Sequence, residues 1–235
     1  MSFKPDKCSI LRFSTRKHVL EYSYRLSGQT IQALHQHKHL GVTLSTDLKW
    51  NPHVDRVVNK ANGMLGFVRR NLGNAPRNVK IQAYKGLIRP HVEYCSSVWD
   101  PHTNCNIKKV EAFQRRAARF ITNNYSRESS VSAILNEINL QPLQRRRQVN
   151  RLMMLHKIVP KKIDLKLEDH IEYSKRPNSA RCTRNNNPLT IKVPMAKTNR
   201  FQSSFFHNTV RDWNALPFST TSTTITKTFS KLIHD

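Results

Sequence analysis

The stretch NPHVDRVVNKANGMLGFVRRNLG, residues 51–73, decides what kind of fold this chain can adopt. Val54, Val57, Val58, Ala61, Leu65 and Val68 recur at the three- and four-residue steps that place side chains on one side of an α-helix. Asn51-Pro52 provides the start, a capping residue followed by a proline whose missing N–H is harmless in a first turn. Arg69-Arg70 and then Gly73 provide the end, where cations meet the negative pole of the helix and glycine relaxes the chain. One long helix with a single apolar face cannot stand alone, so partner helices are required.

Downstream the same periodicity supplies them. Pro76 opens a helix carrying Val79, Ala83, Tyr84, Leu87 and Ile88, and Pro90 is expected to kink or break it. Ile107, Val110, Phe113, Ala117 and Phe120 form the apolar side of a helix from about Asn104 to Thr122. Val131, Ile134, Leu135 and Ile138 mark a short one, and Pro142 begins another with Val149, Leu152, Met153 and His156 as its buried stripe. Upstream, the first 45 residues read as short strands. Lys7 to Phe13 alternates loosely, Tyr22–Leu26 and Thr30–Leu34 flank a Ser27-Gly28-Gln29 turn, and His39–Leu44 adds a third strand. From Pro160 to about Arg200 the composition turns polar, with a single short strand at Leu189–Val193. Beyond it Phe206, Thr209, Val210 and Trp213 share a helical face, and Phe229–Ile233 makes a last turn. The expected fold is α+β and mainly α, a small antiparallel N-terminal sheet or hairpin followed by a helical bundle and a less ordered C-terminal region. Its segments are residues 1–45, 46–160, 161–200 and 201–235.

The composition narrows function. Forty Lys plus Arg stand against fifteen Asp plus Glu, a net charge of +25. Such a surplus repels itself unless a polyanion offsets it, which makes nucleic acid the leading partner. No apolar run is long enough to span a bilayer and no secretory leader is visible, so no membrane partner and an intracellular setting, nucleus or cytoplasm, are expected. The chain has no glycine-rich phosphate loop and no nucleophile elbow. Glu168-Asp169 is the only adjacent acidic pair, and in a charged linker it reads as solvated rather than metal-binding. His35, His37 and His39 alternate as strand ligands would, yet no cysteine or acid lies nearby to complete a tetrahedral set. Cys8, Cys95, Cys105 and Cys182 form no CxxC pair, so no metal site is expected and the thiols read as reduced.

The basic residues are more informative. Lys108, Arg115 and Arg119 fall on one stripe opposite the apolar side of their helix, and Lys109 and Arg116 widen it. Arg145, Arg146, Arg147 and Arg151 stud the helix after Pro142, with no acid in sequence until Asp164. Solvated helices usually carry compensating Glu one turn away, whereas here the first helix has Glu111 alone and the second has none. All nine are therefore expected to contact a nucleic-acid backbone.

A set of ordered phrases sharpens this. Lys38-His39-Leu40-Gly41-Val42, then Leu48-Lys49-Trp50 and His53, resembles the passage after the palm in reverse transcriptases of LINE-type non-LTR retrotransposons, of the jockey-like kind. The likeness continues through Ala61-Asn62, Leu65-Gly66-Phe67, Arg69 to Leu72, Arg89-Pro90-His91-Val92-Glu93-Tyr94, Val98-Trp99 and Gln114 to Arg119. It ends with Ser203 to Phe206 and Trp213-Asn214-Ala215-Leu216-Pro217, so it covers nearly the whole chain in order.

The resemblance implies roles. Lys7 would correspond to the lysine of polymerase motif D, and Lys38, His39, Leu40, Gly41 and Val42 to the primer-grip hairpin. Residues 1–45 would be the end of the palm and 46–160 the thumb. It implies an RNA-directed DNA polymerase of a transposable element, partnered by an RNA/DNA primer–template duplex and by the palm, fingers and endonuclease modules of its polyprotein. The family's metal-binding aspartates have no counterpart in this sequence. Magnesium is therefore expected only in the complete parent enzyme, and this chain by itself is expected to be a catalytically inactive fragment. The alternatives are a stand-alone basic nucleic-acid-binding protein and a pseudogene product without function.

Overall fold

A computed structural model describes residues 4–14, 22–126, 128–159, 163, 172, 189–223 and 225–234. The expected polar linker falls largely outside them, as do Glu168-Asp169 and Cys182. The described chain is α+β and mainly α-helical, with its strands at the N-terminal end.

After a 3₁₀ turn at Pro5–Lys7 come six short strands, β1 (Ile10–Leu11), β2 (Arg25–Leu26), β3 (Gln29–Thr30), β4 (Ala33–Leu34), β5 (Gln36–His39) and β6 (Val42–Ser45). They form three two-stranded ladders. β2–β3 and β5–β6 are antiparallel hairpins, as expected of the sheet, whereas β1–β4 is parallel. The first hairpin is tighter than its sequence suggests. Ser27 and Gly28 alone make the turn, at φ 50° and 80°, a pair of positive values that matches the twist of the strands they join. The expected strand His39–Leu44 is folded in two at Leu40-Gly41, with φ 45° and 87°. Gly41 takes that conformation without strain, and it is Leu40, 78% exposed, that hides the turn from a propensity reading.

Helices follow. They are α1 (Asn51–Leu72), α2 (Arg77–Ala83), α3 (Arg89–Glu93), α4 (Ser96–Trp99), α5 (Asn104–Thr122), α6 (Val131–Glu137) and α7 (Leu143–Ile158). The C-terminal ones are α8 (Asn199–Gln202), α9 (Phe205–Asn214), α10 (Phe218–Thr221) and α11 (Thr226–His234). Pro90 neither stops the helix before it nor kinks it simply. A π-helical turn at Tyr84–Ile88 joins α2 to α3, with the Arg89 N–H donating to the Tyr84 carbonyl. The wider turn opens the ladder where the proline ring would collide with the preceding carbonyls. Among the described residues no helix is long and apolar enough to cross a membrane.

The chain divides into two compact units, residues 1–95 with 103–134, and 96–102 with 135–235. This differs from the expected segments, because the 46–160 bundle is shared between both.

In the first unit α1 packs along α5 and against the π turn and α3. Val54, Ala61, Leu65 and Val68 on α1 are buried, as are Val110, Phe113, Ala117 and Phe120 on α5. The two helices run parallel, as three matched polar pairs show. Asn106 Nδ2 donates to Asn51 Oδ1 (2.7 Å), Lys109 Nζ to Asp55 Oδ1 (2.7 Å) and Arg116 Nη2 to Asn62 Oδ1 (3.0 Å). At the far end Lys80 is buried with its ammonium 4.9 Å from the centre of the Phe120 ring.

The second unit is built around α7, which packs on α4, α9 and α11. Val149, Leu152, Leu155, Ile191, Val210, Trp213, Phe229 and Ile233 make its core. The expected strand Leu189–Val193 reduces to one bridged residue, Ile191, whose N–H and carbonyl are both held by the Asn214 side-chain amide (3.0 and 2.7 Å).

Candidate nucleic-acid interface

Two side chains fix the β5–β6 hairpin to the helices. The Thr43 N–H donates to His53 Nδ1 (3.1 Å), binding β6 to the first turn of α1. His53 is 2% exposed, and burial together with the Arg56 cation lowers its pKa to about 4. A neutral ring is what this bond needs, since Nδ1 must accept. At the hairpin tip the Tyr94 hydroxyl donates to the Leu40 carbonyl (2.9 Å) across 54 residues of sequence. Its ring lies so close to Gly41 that a Cβ there would come within 2.9 Å of Tyr94 Cε1.

Tip, α1 and α3 together enclose a cleft of about 340 Å³ lined by Lys38, Gly41, His53, Arg56, Val57, Lys60, Pro90, His91 and Tyr94. Among the described residues its lining holds three permanent cations and two histidines and no carboxylate. The acid on α1, Asp55, pairs with Lys109, and that on α3, Glu93, pairs with Arg89 at 3.7 Å. His91 titrates below the usual histidine range, first through burial and then through the Lys60 charge. Arg56 and Lys60 carried no distinguishing signal in sequence, and His91 stood in the Arg89–Tyr94 phrase without a role of its own, because only the fold brings them to the hairpin.

The expected stripe on α5 survives in part. Lys108 and Arg115 are exposed, Arg116 is exposed while reaching Asn62, and Arg119 is half-buried with Nη1 donating to the Ser126 carbonyl (2.7 Å). Lys109 lies on the seam with α1, where Asp55 pairs with it and raises its pKa. Asp55 of α1 thus balances one cation of α5, beside Glu111, which α5 carries itself.

The arginines of α7 divide more sharply. Arg145 is exposed, with Nη1 donating to Gln148 Oε1 (2.8 Å) and Nη2 to the Ile233 carbonyl (2.8 Å), and Arg146 is half-buried. Arg147 and Arg151 are buried, at 1% and 5% exposure, and must be withdrawn from the expected backbone contacts. Arg147 Nε meets Asp100 Oδ1 (2.8 Å), and Arg151 bridges Asp100 Oδ2 (2.8 Å) and Asp212 Oδ2 (3.1 Å). The reason is geometric. α7 is covered on nearly its whole circumference, so its cations take acids from distant parts of the chain, which no local count of Glu could reveal.

Lys7 is exposed on its 3₁₀ turn. His37 Nδ1 lies 2.8 Å from Ser9 Oγ, and His35 and His39 are exposed. Among the described residues no three His, Cys, Asp or Glu side chains group as metal ligands would, and Cys8, Cys95 and Cys105 are unbridged. Comparison of the chain with protein-family models, curated proteins and solved structures finds no match in any of the three.

Proposed function

We propose that this chain is the nucleic-acid-gripping, C-terminal part of a LINE-type reverse transcriptase, holding a primer–template duplex for catalytic modules outside this sequence. The single observation that carries the reading is the meeting of two of the family-like phrases. Lys38–Val42 folds as a hairpin, as a primer grip would, and its Leu40-Gly41 tip is received by Tyr94, the last residue of the Arg89–Tyr94 phrase. The exposed cations of α5, Lys108, Arg115 and Arg116, supply charge suited to phosphates without any means of reading bases in particular. On this reading the setting is intracellular, and magnesium belongs to the complete polymerase.

The purified chain should bind two RNA–DNA duplexes of unrelated sequence with affinities within a factor of about three, since backbone contacts ignore sequence. It should not extend a primer when given magnesium and nucleotides. Strong preference for one duplex, or no binding to either, would sink the proposal, and primer extension would overturn the absence of catalysis.

A further inference from the structure

We propose that the cleft beneath the hairpin tip is a pocket for a phosphate dianion, held by Lys38, Arg56 and Lys60. These cations come from β5 and from two successive turns of α1, and among the described residues no carboxylate lines the space they share. Such a grouping is self-repelling and gains most from an anion that bridges it. The volume, about 340 Å³, suits a phosphate or diphosphate group better than a double helix. Pro90 and the exposed Tyr94 ring border the space, so a phosphate carrying a base or other flat group would find a stacking surface beside it. The shared chemistry is a terminal or free phosphate: the phosphorylated end of a nucleic-acid strand, or pyrophosphate.

His91 makes the pocket testable by more than affinity. Lining the cleft with it are Lys60 and Arg56 on α1, Lys38 on β5 and His53, while Glu93 on its own helix is engaged by Arg89. Burial and Lys60 lower its pKa, and an entering dianion acts in the opposite direction and offers an acceptor. Binding is thus accompanied by proton uptake at His91. His53 does not share this role, because its Nδ1 is committed to the Thr43 N–H.

The pocket uses residues other than the α5 stripe, so the two ideas fail separately. The test is calorimetry of the full chain with pyrophosphate, with a 5′-phosphorylated oligonucleotide and with its unphosphorylated form, near pH 6.5 in two buffers of different ionisation heat. A variant carrying Arg56→Ala and Lys60→Ala should weaken pyrophosphate or phosphorylated strand about tenfold or more. Lys227→Ala with Lys231→Ala, which removes the same charge from the exposed side of α11, should leave that binding unchanged. Near pH 6.5 the phosphate itself also exchanges protons, so the buffer dependence of the heat should differ between the wild type and His91→Gln by the proton that His91 takes up. Tighter binding of the phosphorylated strand than of its unphosphorylated form identifies a strand end, and binding of pyrophosphate alone identifies the free anion. Neither phosphate ligand binding, equal losses in both double variants, or a buffer dependence identical in the wild type and His91→Gln would each overturn the proposal.

Discussion

At the scale of single residues, the hairpin tip depends on what Gly41 lacks. Its φ of 87° excludes an L side chain at ordinary energy, and the Tyr94 ring occupies the place a Cβ would take, at 2.9 Å. Gly41→Ala should therefore cost about 1–2 kcal/mol for the backbone alone, with a steric contribution besides. In a Tyr94→Ala background the steric part should vanish and the backbone part remain, a difference readable from urea midpoints. Identical costs in both backgrounds would mean the ring yields freely. His53 sets a second expectation, in pH. Its folded pKa, about 4, lies below the ordinary 6.5, so between those values the unfolded chain binds the extra proton. Stability from this residue is complete above about pH 6.5 and drains away toward pH 4, on the order of 3 kcal/mol in all. Denaturation midpoints of the wild type should fall over that window more steeply than those of His53→Gln. Parallel curves would show that His53 is protonated in the fold without penalty. Gly41 was quotable from sequence as part of a phrase. That the ring beside it is Tyr94 was not, since nothing local links the hairpin tip to a residue 54 positions beyond Leu40.

At the scale of elements, α1 and α5 were legible because each has one apolar face, and a single periodicity describes such a helix. α7 was half legible. Its stripe Val149, Leu152 and His156 is buried as the spacing requires, but so are Leu143, Arg147, Arg151, Leu155 and Ile158, and a helix covered all round offers no solvent side to read. A run of arginines there looked like an external charged face, while two of its members are internal. The π turn before Pro90 was equally hidden, since a proline announces only that the α ladder must change, not how. A prediction separates the two kinds of arginine. Arg147→Met removes one partner of a buried pair and leaves Asp100 short of a donor, which should cost about 3 kcal/mol or more of stability. Arg145→Ala, at the surface, should cost less than about 1 kcal/mol. Thermal melts of both variants decide it, and comparable costs would mean that Arg147 is not the anchor its burial implies.

At the scale of the whole molecule, the charge of +25 is less evenly spread than its sum suggests. Many of the acids are engaged by particular bases: Asp47 by Lys49, Asp55 by Lys109, Glu93 by Arg89, Asp100 and Asp212 by the α7 arginines, Glu172 by Lys192. On α5 Asp55 balances Lys109 and Glu111 adds one acid, against the exposed Lys108, Arg115 and Arg116, and the described lining of the cleft holds no acid, so each keeps a positive field. Uniform stickiness and discrete contact then make different predictions about salt. A diffuse cationic surface loses little when a few side chains are removed. Discrete phosphate contacts each release counterions, and each adds about 0.9 to the slope of log affinity against log salt. Arg115, Arg116 and Arg119 lie on the α5 side that faces away from its buried residues, with Arg116 and Arg119 retaining their charge while bonded to uncharged groups. Changing all three to alanine should make the slope shallower by up to about 2.7 and weaken binding about equally on two unrelated duplexes. Lys109→Ala should change the slope little, because Asp55 already balances that charge. Titrations at three salt concentrations give the slopes directly. A triple variant that keeps the wild-type affinity and slope would reduce the α5 arginines to a solvated face and leave duplex binding to other residues.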